Sequence, residues 1–270
     1  MNPSFSHIQM VAIDCDETLL RSDNTVSEYT KDVLHRLQEK GIQITIATGR
    51  MYQTAKPVGM SLQLGNVPMI LFSGGLIQEL ELGHKLFERT VPLDTVQRIW
   101  KLASQYGWHI QSYVDDHLLC HHQDWQSDLY ERQTGAKAEF LGDSLYELSQ
   151  ESNKLIAIDT VKNIDSIIDT LTPIVGDTAT LVRSQQDFLE IIAPHVSKGD
   201  ALYQLAQQYG IGLEHIVSFG NAENDISMLS KTGYSVAVEN AVDHVKSVTH
   251  EVCGHHNEDG VAHWIEEHLL

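Results

Sequence analysis

Short, largely apolar runs stand at both ends of this chain, and their placement limits the fold more than any other feature. Ile8–Ile13, Ile42–Ala47 and Met69–Phe72 lie near the beginning, and Ile216–Phe219 and Tyr234–Val238 near the end. Each is too short for a buried helix and lacks the regular alternation of a strand with one wet face. Each therefore reads as a strand covered on both sides. Between the first two, Thr30, Val33, Leu34 and Leu37 recur at helical spacing, with Ser27 before them as a cap and Gly41 after them as a stop. The rhythm resumes after Ser197, where Leu202, Leu205, Ala206 and Tyr209 form an inward helix face closed by Gly210. A last helix carries Val261, Trp264 and Ile265. Such alternation predicts an α/β core built on a doubly wound, mostly parallel sheet.

The middle has a different texture. Val96, Ile99, Trp100, Ala103 and Tyr106 mark a helix that ends at Gly107. Strand-like pieces at 108–114 and 117–121 flank Asp115-Asp116, a hairpin turn. A strand at 154–159, a helix with Ile164, Ile167, Ile168 and Leu171 on one face, and strands at 179–183 and 187–192 complete the region. Hairpins mixed with helices predict an inserted α+β domain with an antiparallel sheet, spanning 82–193. Residues 1–81 and 194–270 then make the core together. A chain of 270 residues accommodates two such domains, since domains run to about 100–150 residues each.

A net charge of −19 argues against a nucleic-acid partner, whose backbone this surface would repel. Cys15, Cys120 and Cys253 form no CxxC pair and no disulfide framework, which suits a reducing compartment. The opening MNPSFSHIQM lacks the pattern of a signal peptide, and no apolar run approaches the ~20 residues of a membrane span. The expectation is a cytoplasmic protein with no membrane partner, monomeric or weakly dimeric.

Four segments fall at the carboxyl ends of predicted strands or beside them, the edge where open parallel sheets bind ligands. They are Asp14-Cys15-Asp16-Glu17-Thr18, Thr48-Gly49-Arg50, Lys198, and Asn221-Ala222-Glu223-Asn224-Asp225. Two aspartates so close after a strand repel unless a cation lies between them, and Mg²⁺ held by carboxylates and substrate phosphate is a natural answer. An aspartate also serves as a nucleophile toward phosphorus. Thr48 offers a hydroxyl to a phosphate oxygen and Lys198 a fixed positive charge. Taken singly, each has an ordinary reading as a cap, a strand end or a solvated side chain. The ordered set is what points to chemistry.

With Asp14-Cys15-Asp16-Glu17-Thr18-Leu19-Leu20, Ala47-Thr48-Gly49-Arg50, Val196-Ser197-Lys198-Gly199-Asp200-Ala201-Leu202, Gly220-Asn221-Ala222-Glu223-Asn224-Asp225, Glu239-Asn240-Ala241 and Glu258-Asp259-Gly260-Val261 in this order, the chain resembles the Cof-type branch of the haloacid dehalogenase superfamily. That branch carries the larger α/β cap, and the resemblance covers nearly the whole chain. It implies a Mg²⁺-dependent phosphatase acting on small phosphorylated metabolites, such as sugar phosphates or phosphorylated cofactors. It assigns Asp14 as nucleophile and metal ligand. Asp16 becomes the general acid and base, with its carbonyl on the metal. Thr48, Gly49, Arg50, Lys198 and Asn224 become phosphate-binding residues, and Asn221 and Asp225 the remaining metal residues.

Three positions depart from the family pattern. Asn221 stands where an aspartate ligand is usual, which removes a negative charge and implies weaker metal binding. Glu17 stands where glycine is usual, and Ser73 precedes Gly74 where asparagine is common. The rival readings are a phosphomutase on the same fold, a ligand-binding protein weakened by Asn221, and a receiver-type signalling domain, which the long insertion disfavours. Cys15, placed by alternation away from both aspartates, reads as a packing residue. The pairs His121-His122 and His255-His256 read as solvated surface. Trp100, Trp108, Trp125 and Trp264 read as packing residues, with Trp125 and Tyr130 as weaker candidates for reaching substrate.

Overall fold

The computed structural model describes residues 5–270. In order the chain forms β1 (Met10–Asp14), α1 (Glu28–Glu39), β2 (Gln43–Ala47), α2 (Tyr52–Ser61), β3 (Pro68–Leu71), β4 (Leu76–Glu79), β5 (Lys85–Glu88), α3 (Leu93–Tyr106), β6 (Ile110–Val114), β7 (His117–Cys120), α4 (Trp125–Thr134), β8 (Ala138–Phe140), β9 (Lys154–Ile158) and α5 (Val161–Val175). There follow β10 (Thr180–Gln185), β11 (Phe188–Ile192), α6 (Lys198–Tyr209), β12 (Ile216–Gly220), α7 (Ile226–Leu229), β13 (Tyr234–Ala237), α8 (Asp243–Ser247), β14 (Glu251–Val252) and α9 (Gly260–His268). Among the described residues no helix is long and apolar enough to cross a membrane.

Two units divide the chain. The first comprises residues 1–50, 55–87 and 197–270, and the second residues 51–54 and 88–196. The first unit is an eight-stranded sheet in the order β14-β13-β12-β1-β2-β3-β4-β5. Pairing is parallel from β14 through β3 and antiparallel between β3 and β4. The chain winds outward from β1 in one direction through β2 and β3, and later in the other through β12 and β13. The strand order thus reverses at β1 and β12, the point where doubly wound sheets bind ligands. Every residue of β1 is buried, as a strand covered on both faces requires.

Helix ends follow the local chemistry. Ser27 accepts a hydrogen bond from the Thr30 amide, and Gly41 follows at φ 81°. Ser197 caps α6 by accepting from the Asp200 amide. Tyr209, expected inward, is exposed, because it closes the last turn of α6 beyond the packed face.

The second unit is a six-stranded sheet in the order β10-β11-β9-β6-β7-β8, antiparallel except for β7 with β8. Val96, Ile99 and Trp100 of α3 and Ile164, Ile167 and Leu171 of α5 pack with Leu155, Ala157 and Leu189 of the sheet in one core. This is the α+β arrangement expected of the insertion. Asp115 and Asp116 take φ of 48° and 64°, the two left-handed positions of a tight hairpin turn. Two aromatic expectations fail here. Tyr106 and Trp125 are 55% and 54% exposed, since each sits at a helix end rather than on a packed face. Tyr130 is buried, with its hydroxyl accepting from Tyr113 at 2.5 Å, so it belongs to the core of this unit.

Candidate active site at the strand ends

β1 delivers Asp14 to the carboxyl edge of the first sheet beside Ala47 of β2, and Ile13 lies opposite Phe219 of β12. Lys198 reaches this point from the first turn of α6. Its Nζ donates to Asp14 Oδ1 at 2.5 Å and to Asp225 Oδ1 at 2.6 Å. All three groups are buried, Lys198 at 1%, Asp14 at 5% and Asp225 at 0% exposure. Asp225 is held further by the Asn221 and Ala222 amides, which donate to its Oδ2 at 3.0 Å each. The loop after β12 therefore turns its backbone toward a carboxylate, and the Asn221 side chain is free of that task.

Two glycines permit these approaches. A Cβ at Gly199 would stand 2.0 Å from the Ser227 carbonyl oxygen. One at Gly74, whose φ is 113°, would stand 2.2 Å from the Ser197 carbonyl oxygen. Any side chain at either position would push the start of α6, and Lys198 with it, away from the strand ends.

Electrostatics follow from burial. Asp14 is pushed up to about 7 by desolvation, with Lys198 opposing the rise and the Asp225 charge adding to it. Burial works against the charged form of Lys198, but the two carboxylates outweigh it and hold its pKa above the usual lysine value. Two carboxylates against one ammonium leave an excess negative charge in a dry site, and that is the complement of a further cation. Cys15, fully buried, has its thiol pushed up by desolvation and is inert packing, as its position between the aspartates implied.

Asp16 lies to one side. Arg50 Nε is 3.1 Å from both of its carboxylate oxygens and Nη2 donates to Oδ1, while Thr48 Oγ1 stands 3.5 Å from Oδ2. Thr48 is buried and accepts from the Arg50 amide at 3.2 Å. The expected residues Asp14, Asp16, Thr48, Arg50, Lys198 and Asp225 thus gather at one edge, with Gly49 between Thr48 and Arg50. Asn224 is exposed and touches the cluster only through the turn it shares with Asp225.

Sequence reasoning passed over the brace behind the Asp14–Thr18 loop. Asn240 Nδ2 donates to the Glu17 carbonyl at 2.8 Å, and its Oδ1 accepts from the His256 amide at 3.2 Å. His256, expected to be solvated, is buried, with Nδ1 3.1 Å from the Leu20 carbonyl. Asp259 holds the chain beyond that loop, through Arg21 and through Thr30 of α1. The Glu239-Asn240-Ala241 and Glu258-Asp259-Gly260 blocks were the available signal, but their contacts were not readable from spacing. Glu17 itself adopts φ 55°, a left-handed conformation that favours glycine, which accounts for the family's usual residue there. Ser73 adopts φ 54°, where asparagine is tolerated better than most residues.

Comparison with known proteins agrees with this geometry. A family model described as haloacid dehalogenase-like hydrolase matches residues 11–265. The 5-amino-6-(5-phospho-D-ribitylamino)uracil phosphatase YitU of Bacillus subtilis is 26% identical over 267 residues, covering 96% of this chain and 97% of that protein. The HMP-PP phosphatase of Yersinia pestis is 28% identical over 264 residues, covering 97% and 95%. Among solved structures, the Thermotoga maritima protein TM0651 superposes with a TM-score of 0.90 at 27% identity, covering 96% of this chain and 97% of that one. With its strand order, its gathered acid–lysine–threonine cluster and a family match over nearly its full length, the chain belongs to the haloacid dehalogenase-like hydrolases.

Proposed function

We propose that this enzyme is a magnesium-dependent phosphatase that hydrolyses small phosphomonoesters through a phospho-aspartate on Asp14. The observation that carries the reading is the sharing of Lys198 between the buried carboxylates of Asp14 and Asp225 at the reversal of the sheet. Asp14 ends β1, and Asn221 and Asp225 lie on the loop that follows the neighbouring β12; all three are oxygen donors, and the excess negative charge there suits a hard cation. Among the described residues no three His, Cys, Asp or Glu side chains close around one point. Mg²⁺ keeps several water ligands and takes others from substrate phosphate. When bound, the ion supplies charge neutralisation between the nucleophile and the phosphate dianion.

The chain's own residues carry the steps. An Asp14 oxygen forms the bond to phosphorus as the ester P–O bond breaks. Lys198 and the Thr48 hydroxyl hold the phosphoryl oxygens as charge develops on them. Asp16 gives its proton to the departing alcohol oxygen. It then takes a proton from the water that attacks phosphorus, which releases phosphate and restores the Asp14 carboxylate. Asp16 must turn from Arg50 to do so, and an incoming phosphate dianion offers Arg50 the alternative partner. The second unit is the proposed source of substrate choice, and the free cysteines accord with a cytoplasmic site of action.

Phosphate release from p-nitrophenyl phosphate and a panel of sugar phosphates and phosphorylated cofactors, with and without Mg²⁺, tests this reading. Turnover is expected to depend on Mg²⁺, to disappear in Asp14→Asn and to rise in Asn221→Asp. Turnover that survives Asp14→Asn ends the phospho-aspartate mechanism. A silent wild type revived by Asn221→Asp marks a binding protein instead.

A further inference from the structure

Three loops leave neighbouring strands at the carboxyl edge of the first sheet: Cys15–Leu19 after β1, 221–225 after β12 and 238–242 after β13. The phosphatase chemistry uses the first two and gives the third no task. β13 lies two strand spacings from β1, about 10 Å. The third loop nevertheless reaches both others. Its Val242 amide donates to the Asn221 carbonyl at 3.2 Å, and Asn240 Nδ2 donates to the Glu17 carbonyl at 2.8 Å.

The Asn240 amide group fits in one orientation. The His256 backbone N–H is a donor and takes Oδ1 at 3.2 Å, which leaves Nδ2 for a carbonyl. The carbonyl it holds belongs to the strained point of the nucleophile loop. Glu17 stands at φ 55° and ψ 20°, between extended Asp16 at φ −76° and ψ 124° and buried Thr18. A left-handed conformation is disfavoured for a residue with a Cβ. The Glu17 side chain is exposed, so packing does not offset that cost. The planar peptide joining Asp16 to Glu17 is oriented by ψ of the first residue and φ of the second. Relaxation of Glu17 to a common conformation would turn that peptide over and carry the Asp16 carbonyl with it.

We propose that Asn240 is a positioning residue for the metal site, an inference that rests on the phosphatase reading above. By holding the Glu17 carbonyl it keeps Glu17 left-handed and the Asp16 carbonyl, an expected metal ligand, aimed at the ion. The Val242 amide ties the Asn221 loop to the same segment, so the loop after β13 sets the two metal-bearing loops against each other. Asn240 itself acts through backbone and is not a ligand.

The test titrates Mg²⁺ into the full chain by calorimetry, with metal-free melting curves to establish that each variant is folded. Asn240→Ala is expected to weaken Mg²⁺ binding by about 10–100-fold, the usual effect of losing a group that orients a metal ligand. Asn240→Ala/Glu17→Gly is expected to bring the affinity back toward the wild-type value, because glycine adopts the left-handed conformation without the hydrogen bond. Equal affinity in wild type and Asn240→Ala overturns the inference and leaves the phosphatase reading standing. A loss that Glu17→Gly does not recover also overturns it, and reduces Asn240 to a tie between loops. A wild type that takes up no Mg²⁺, or takes it up equally well in Asp225→Asn, overturns the metal site itself and this inference with it.

Discussion

Replacing Lys198 by methionine removes the cation shared by Asp14 and Asp225 while keeping much of the side chain's length. Asp225 retains the Asn221 and Ala222 amides, but Asp14 loses the donor at its Oδ1. Removing one partner of a buried ion pair costs about 3–5 kcal/mol, and that is the expected loss at pH 7 with metal chelated. The cost also acquires a pH dependence. In the wild type, burial pushes Asp14 up from its ordinary 3.8 to about 7. Without Lys198 its pKa rises further, so above pH 7 the folded variant holds a proton that both the folded wild type and the unfolded chain have lost. Each pH unit above 7 therefore adds up to about 1.4 kcal/mol to the difference. Between 3.8 and 7 the difference is flat, because Asp14 is protonated in both folded proteins. Urea unfolding in EDTA, followed by hydrogen exchange of peptides from β1 and β12, isolates the first unit. Tryptophan fluorescence would mix the units, since Trp100, Trp108 and Trp125 belong to the second and Trp264 to the first. The control is Lys198→Met in an Asp14→Asn background, where the pH slope is expected to vanish. A slope that persists there refutes the assignment to Asp14.

Glu17→Gly is expected to raise stability by up to about 1 kcal/mol in calorimetry, by relieving a left-handed φ of 55°; a lower melting temperature would contradict this. Gly199→Ala is expected to cost about 1–3 kcal/mol, because its Cβ meets the Ser227 carbonyl, and to lower kcat through the displaced Lys198; unchanged urea midpoints would show that α6 and α7 shift freely. His256 has its pKa lowered, first by burial and then by the neighbouring His255. Its contribution to stability is complete above its ordinary value of 6.5 and is lost as pH falls toward the folded pKa, since only the unfolded chain takes up the proton. Melting temperatures between pH 7.5 and 5 are expected to fall less in His256→Asn than in wild type, and parallel curves would rule out His256 as the source.

The parts of the fold legible from sequence were those where burial on both faces left no ambiguity. β1, β2, β3, β12 and β13 are each written as an apolar run, and Ser27 and Gly41 mark the two ends of α1 directly. β5 was not legible, because Lys85 and Glu88 are exposed and Leu86 and Phe87 only half-buried at the sheet edge. α4 was missed for a similar reason: among its ten residues only Ser127 and Tyr130 are buried. Helical spacing also counted Tyr106 as inward, although it stacks on Trp108 at 5.0 Å outside the packed face. At the site, the residue types were readable from their places at strand ends. Their pairing was not, because Lys198 meets Asp14 across 184 positions of chain. Nor could adjacency distinguish His256, which the fold buries, from His255 beside it.

The placement of β1 has a consequence for how the protein is made. Met10 pairs with Gln43 on one side and with Ile216 on the other. As the chain emerges from the ribosome, β1 therefore waits with one edge open until the last quarter of the sequence has been synthesised. All six strands of the second sheet are complete by Ile192, before β12 exists. The insertion can settle into its native form while the unit that hosts it is still unfinished, and the exposed edge of β1 is where a nascent chain of this design is open to mispairing.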